Sequence, residues 1–287
     1  MENSIFNKKT RMSDIVLSSL IQLCSFISII LLLVIIGYVC YRGIPHFKFD
    51  YLVNTTSILK NTVGILPNII NTLCIIVLTL LIAGPIGIGG AIYLNEYATN
   101  KKFVEIISFT TEVLAGIPSI IYGLFGMLFF GNFLKLHYSI LTGALTLSIM
   151  VLPIISRNTQ VALESVPKSY REAALGIGAT KWYMIRTVLL PSAIPGILTG
   201  VILAMGRIVA ESAALLFTAG SVSALPKNLL THMFSSGGTL TIELYLQMAK
   251  SNYEVAFVIA LVLIVIVLGL NFLAKWISKK FDVNKVD

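Results

Sequence analysis

The sequence predicts an all-α integral membrane protein with six transmembrane helices. Three observations carry that prediction. Apolar residues make up 56% of the 287 positions and charged residues only 12%, about half the charged share of a soluble domain. With a mean hydropathy of +0.90, a soluble fold of this length could not hide so much apolar side chain, so lipid must be part of its solvent. The apolar residues also gather into six runs long enough to cross about 30 Å of hydrocarbon. Finally, those runs are continuous rather than alternating, which excludes a transmembrane barrel and leaves helices as the way to satisfy the backbone in lipid.

The first expected helix, residues 15–41, carries no charge. It is too long for a cleaved leader and lacks a small-residue cleavage site, so it is read as a retained span. The second, 63–94, is also free of charge. The third, 106–134, has a polar beginning, with Glu105 just before it and Glu112 ahead of its apolar run from Val113, and the fourth, 138–158, is only just long enough. The fifth, 188–218, is interrupted by Arg207 and Glu211, and the sixth covers 255–277. Gly84-Pro85, Gly116 to Pro118 and Pro153 mark either bent helices around a path or close helix packing. The whole chain, 1–287, reads as a single transmembrane domain.

Lys and Arg sort unevenly between the connecting segments. Fourteen fall on one side, among them Lys101, Arg157, Arg171 and Lys275, against six on the other, with Arg207 left inside a span. This bias places both termini in the cytoplasm and explains the net charge of +8 without nucleic acid, for which a clustered basic face would be needed. Cys24, Cys40 and Cys74 lie in membrane runs at no metal or disulfide spacing. His46, His137 and His232 are isolated and are expected to be plain loop residues. No metal cluster, nucleophile–base pair or G-x-S-x-G is visible, so a membrane enzyme is disfavoured. The phosphate-cradling G-x-x-x-x-G-K-[ST] is also missing, and the dipeptide Gly-Lys never occurs. Any nucleotide would have to bind another chain.

The segment 159–187, between helices four and five, is the most informative. Val166-Pro167 opens a short helix, because proline suits the first turn. Gly176 and Gly178 end it, and a second amphipathic piece runs from Ala179 to Pro191. By composition this is equally a surface hairpin that merely joins two spans. Its residues say more. Glu172-Ala173-Ala174, three residues, Gly178, nine residues, then Val188-x-Leu190-Pro191 resembles the E-A-A loop of ABC importer permeases, departing only in Val188 for isoleucine. The resemblance implies a type I importer-like fold in which this loop is the coupling helix, docking on a separate ATPase subunit that carries ATP and magnesium. Ala173 and Ala174 would allow close approach to that partner, Gly178 turns the chain, and Pro191 starts the next span. Glu172 either braces the loop or contacts the ATPase.

Four further segments are similar to the phosphate-specific subfamily of these permeases, and to its A-type subunit. They are Pro85 to Ala98 (P-I-G-I-G-G-A-I-Y-L-N-E-Y-A), Ala115 to Gly123 (A-G-I-P-S-I-I-Y-G), Leu66 to Thr72 (L-P-N-I-I-N-T) and Gly206 to Ser212 (G-R-I-V-A-E-S). The likeness covers about 64–222 and weakens outside that range. It implies a bacterial inner-membrane importer of inorganic phosphate with a second related permease, an ATPase dimer and an external phosphate-binding protein. No cofactor is expected on this chain. Two alternatives stay open from sequence: a permease for another oxyanion such as sulfate or molybdate, and a transporter or channel working without an ATPase.

Arg207 and Glu211 can be weighed on physics alone. An Arg in the middle of a span costs roughly 2.5–3.5 kcal/mol on insertion scales, so it should face protein or water and have a partner. Glu211, four residues on, would lie on the same face one turn away. The pair is either a structural salt bridge or the fixed charge of a substrate pathway, where a guanidinium fork suits an oxyanion. In the second reading Glu211 would steady Arg207, or accept a hydrogen bond from hydrogen phosphate.

Overall fold

The structure, a computed structural model, describes residues 12–57, 62–225 and 228–280. Among these residues five helices are long and apolar enough to cross a membrane, or six if one bent pair counts as a single span. The expected all-α membrane architecture is thus present. Lys8, Lys9, Arg11, Lys60, Lys227 and Lys285, all part of the charge bias, lie outside the described residues.

Helix α1, Met12–Gly43, is apolar on every side and is left largely uncovered by the rest of this chain, as suits a membrane span. It meets the rest of the chain near its end, at Gly43, where an added Cβ would fall 2.9 Å from the Phe257 carbonyl oxygen. A 3-10 turn, Ile44–His46, and a four-residue helix α2, Asp50–Val53, lead to an antiparallel hairpin of β1, Thr55–Ser57, and β2, Thr62–Ile65, with Thr55 opposite Ile65. The sequence places the second helix from residue 63. The structure begins α3 at Leu66 (Leu66–Ile92), because Thr62–Ile65 form the second strand of the hairpin and Pro67 suits a first helical turn. Pro85 sits inside α3 without ending it, and a π-helical turn at Tyr93–Tyr97 closes the element.

The third expected span is broken. Helix α4, Lys101–Gly116, is capped by Asn100, whose Oδ1 accepts from the Lys102 and Phe103 amides. Helix α5, Ser119–Gly126, and its π-helical extension Met127–Phe133 follow at an angle of 100°. Gly116, Ile117 and Pro118 make the corner. Pro118 lacks the amide hydrogen that would continue the ladder, and Ile117 before it is extended with ψ 131°. Of the three proline or glycine positions raised from sequence, this one bends the chain, whereas Pro85 and Pro153 remain within α3 and α6.

Helix α6, Ile140–Glu164, starts on Ser139, whose Oγ accepts from the Thr142 amide, and is the centre of the fold. It packs against α3 on one side and against α9, Leu190–Ala210, on another. Ile75, Leu147, Val151, Ile155, Ala204 and Ile208 form the interior between them. Between α6 and α9 lie α7, Lys168–Gly176, and α8, Lys181–Met184, which passes through a π-helical turn at Ile185–Leu189 into α9. After α9 come the short α10, Ala213–Thr218, and α11, Leu229–His232, then α12, Leu240–Ala249, and α13, Tyr253–Lys280.

Candidate transport site and coupling loop

The fifth expected span also breaks, at the residue singled out from sequence. Glu211 is extended, with φ −80° and ψ 124°, and α9 ends at Ala210. The cause is local competition for hydrogen bonds. Glu211 Oε1 accepts from the Ala214 amide at 3.1 Å, capping α10, while its own carbonyl accepts from Thr241 Oγ1 at 2.9 Å. The same carboxylate still meets Arg207, with Nη2 3.5 Å from Oε2. The two partners differ sharply in exposure: the Arg207 side chain is 46% exposed and that of Glu211 4%. The carboxylate is a buried anchor, engaged on both oxygens, and the guanidinium projects from the surface of the chain. Arg207 also stands in the last turn of α9, where the helix dipole favours a cation. Beside the break, Ser212, Ala213, Ile120 and Tyr245 line a cavity of about 250 Å³.

The loop residues lie at the other end of α9. Pro191 opens that helix. Gly178 has φ +85° with open space around it, so glycine is needed there for backbone conformation rather than for room. Ala173 and Ala174 part company. Ala173 is exposed, whereas Ala174 is buried against Leu163, Met184, Ile185 and Leu189. Ala174 therefore seats α7 on its own chain, and only Ala173 faces outward. Glu172 is exposed along a cleft of about 500 Å³ with Asn95, Glu164 and Lys168.

Bracing of the loop falls to a residue that sequence reasoning passed over. Arg171 directs Nε and Nη2 to Glu96 Oε1 at 3.2 and 3.1 Å, and also donates to the carbonyls of Val166 and Leu163 at 2.9 and 2.8 Å. The Glu96 side chain is 7% exposed. Beside this strut the Lys181 ammonium lies 5.1 Å from the centre of the Tyr97 ring. Glu96 and Tyr97 belong to the Y-L-N-E-Y segment, so the end of α3 and the α7 loop are tied together. No linear pattern joins positions 75 residues apart, and only the two motifs themselves hinted at it. The loop also exposes Tyr170, Leu175 and Ile177, the last at 85%.

Another buried polar cluster gathers at the N-terminal end of α3. Asn68 donates to Gly238 O and Ser223 Oγ, Asn71 donates to Gly238 O, and the Asn71 side-chain oxygen lies 2.7 Å from His232 Nε2. His232, expected to be a plain loop residue, is buried, and burial pushes its imidazole pKa down from 6.5. His46 pairs with Glu254 at 3.5 Å.

Residues 83–283 match the family described as binding-protein-dependent transport system inner membrane component. The chain belongs to that family. It is 35% identical over 293 residues to a probable ABC transporter permease, YqgI, of Bacillus subtilis, covering 96% of this chain and 99% of the relative. It is 38% identical over 207 residues to the phosphate transport system permease protein PstA 2 of Mycobacterium tuberculosis, covering 70% of this chain and 68% of that one. Among solved structures, the permease chain is similar in fold to a bacterial alginate ABC transporter bound to its periplasmic protein, with a TM-score of 0.67, 18% identity and coverage of 96% and 99%. An inward-facing methionine transporter, MetNI, gives a TM-score of 0.59 at 20% identity over 76% of this chain and 94% of the other. The protein is thus a multi-pass inner-membrane permease subunit of an ABC importer, with type I importer permeases as its structural neighbours.

Proposed function

We propose that this permease carries inorganic phosphate, with Arg207 as the fixed positive charge on the pathway. The observation that carries the reading is the unequal exposure of the Arg207–Glu211 pair. Glu211 is buried, capped and already occupied on both oxygens, so it acts as a positioning residue for Arg207 rather than as a ligand for the anion. Arg207 keeps half its side chain free to meet an oxyanion, which a guanidinium fork binds well. The 38% identity to a phosphate permease over 207 residues supports the same substrate.

In this reading the chain works beside a second, related permease, and substrate passes between the two. An external phosphate-binding protein delivers it, as a periplasmic protein is seated on the alginate transporter. ATP and magnesium are held by a separate ATPase dimer, docked on α7. Tyr170, Leu175 and Ile177, exposed on a loop rich in charge, suit such a contact. Both termini and the α7 loop lie in the cytoplasm. Arg207 then stands roughly 24 Å from Pro191 along α9, in the outer half of the membrane.

The test is uptake of labelled phosphate at limiting concentration, with sulfate and molybdate run in parallel. Cells lacking this chain lose phosphate uptake selectively, and Arg207→Gln fails to restore it although the complex still copurifies. Normal uptake by that variant would remove Arg207 from the pathway. Selective loss of sulfate or molybdate uptake would reassign the substrate.

A further inference from the structure

Two cavities near the junction of α1 and α13 have no part in the transport reading. The first, of about 370 Å³, is lined by Arg42, His46, Tyr253, Glu254 and Phe257 together with the 251–252 turn. The second, of about 420 Å³, has only apolar lining, including Ile44, Phe47, Leu261 and Val265. The Ile44–His46 turn divides them, with Ile44 lining one cavity and His46 the other. On α13, residues 254, 257, 261 and 265 recur every three or four positions and so share a face. The apolar groove therefore lies on the same side of the helix as the polar cavity, with Val265 about 12 Å deeper than Phe257.

The charges at the head of this groove are held apart from the protein interior. The Arg42 guanidinium lies 5.8 Å from the centre of the Phe257 ring, and Tyr38 meets that ring edge-on at 5.6 Å. Glu254 Oε2 is 3.5 Å from His46 Nδ1, yet its side chain remains 75% exposed. Around the crevice, Tyr41, Ile44 and Val265 are exposed apolar side chains, at 75%, 62% and 62%, so the groove opens toward lipid. One cation and one carboxylate thus share a cavity, and an apolar groove lies further along the same face of α13.

We propose that a phospholipid with a zwitterionic phosphoethanolamine headgroup binds here, its phosphate on Arg42, its ammonium on Glu254 and an acyl chain along the Ile44–Val265 groove. The charge pattern selects among lipids. A purely anionic headgroup would satisfy Arg42 but confront the Glu254 carboxylate. A choline headgroup carries a cation with no N–H to donate. The lipid would also bridge α1 and α13, whose direct contact is concentrated around Gly43.

The experiment is native mass spectrometry of the intact complex containing the full chain. Delipidated complex is titrated with phosphatidylethanolamine, phosphatidylglycerol or phosphatidylcholine in mixed micelles. Phosphatidylethanolamine is retained at about tenfold lower concentration than the other two, and Arg42→Gln raises that concentration about tenfold, the ratio expected for one lost charge-assisted contact. Glu254→Gln removes the preference over phosphatidylglycerol. Val265→Trp, which fills the groove without touching either charge, weakens retention of all three lipids, while Arg207→Gln leaves retention unchanged. Equal retention of the three lipids by the native complex, or no effect of Arg42→Gln, would reduce the site to general lipid contact and overturn the proposal. Displacement of the lipid by soluble O-phosphoethanolamine or inorganic phosphate at matching concentration would make it a small-anion site, and would equally overturn it.

Discussion

His232 shows what a single residue contributes once its surroundings are known. Asn71 Nδ2 donates to Gly238 O at 3.0 Å, which turns the Asn71 oxygen toward the imidazole. Nε2 must then carry the proton, leaving Nδ1 an acceptor 3.1 Å from Ser235 Oγ, whose hydroxyl also donates to the His232 carbonyl at 2.8 Å. This assignment rests on the hydrogen-bond network. Protonating Nδ1 would place a charge in a buried site and turn an acceptor into a donor. Because the folded pKa lies below the unfolded value of 6.5, the unfolded chain binds more protons between the two values. The stability held by His232 is therefore complete above pH 6.5 and declines as pH falls through 6.5 toward the folded value. Thermal unfolding of the detergent-purified permease from pH 8 to pH 5 should show a fall in midpoint that His232→Gln flattens. A slope unchanged in the variant would show that His232 is not its source. The residue was illegible in sequence because its partners, Asn71 and Ser235, sit in a different element and across a turn. Arg207 and Glu211, four apart, announced themselves, although their break in the helix did not.

At the scale of elements, the loop between α6 and α9 is a braced unit. Arg171 joins α7 to the end of α3 through Glu96 and to the end of α6 through two carbonyls. Removing one partner of a nearly buried charge pair costs more than the pair is worth, since it leaves the other charge unpaired. Glu96→Gln is therefore expected to open the 168–180 segment to limited proteolysis at least several-fold faster than in the native chain, with the membrane helices still protected. Equal cleavage rates would mean that Ala174 and its apolar contacts hold the loop without the strut. Sequence placed this loop, its proline start and its glycine stop within a few residues, because those signals are local. It missed the corner at Gly116 to Pro118 as a full 100° turn, because a Pro-Gly signal alone does not distinguish that corner from Pro85 or Pro153, which α3 and α6 absorb.

For the molecule as a whole, counting the bent pair α4–α5 as one crossing gives six spans, and an even number returns the chain to the side on which it began. Reporter domains fused to the two termini should then report the same, cytoplasmic compartment, as should one inserted after Gly176. A C-terminal reporter on the far side would mean that α4 and α5 do not together cross the bilayer. The long apolar runs were readable from composition because lipid rewards them, and among the described residues they form five long helices, or six if the bent pair is one span. The central place of α6 was not, since burial against protein and burial in lipid select similar side chains. The contrast between helices bears on how the protein is made. None of the most apolar window of α1 is covered by the rest of the chain, against 67% of that of α6. As it leaves the ribosome, α1 can partition into the bilayer alone and gains little by waiting. By contrast α6 is packed against both α3 and α9, so its buried surface is complete only when both stand beside it, although Thr146, Ser148 and Thr159 already donate to carbonyls one turn back in the same helix. Biogenesis is thus expected to proceed from an anchor that inserts unaided to a centre that settles late, with the membrane-insertion machinery sheltering α6 until α9 has been synthesised.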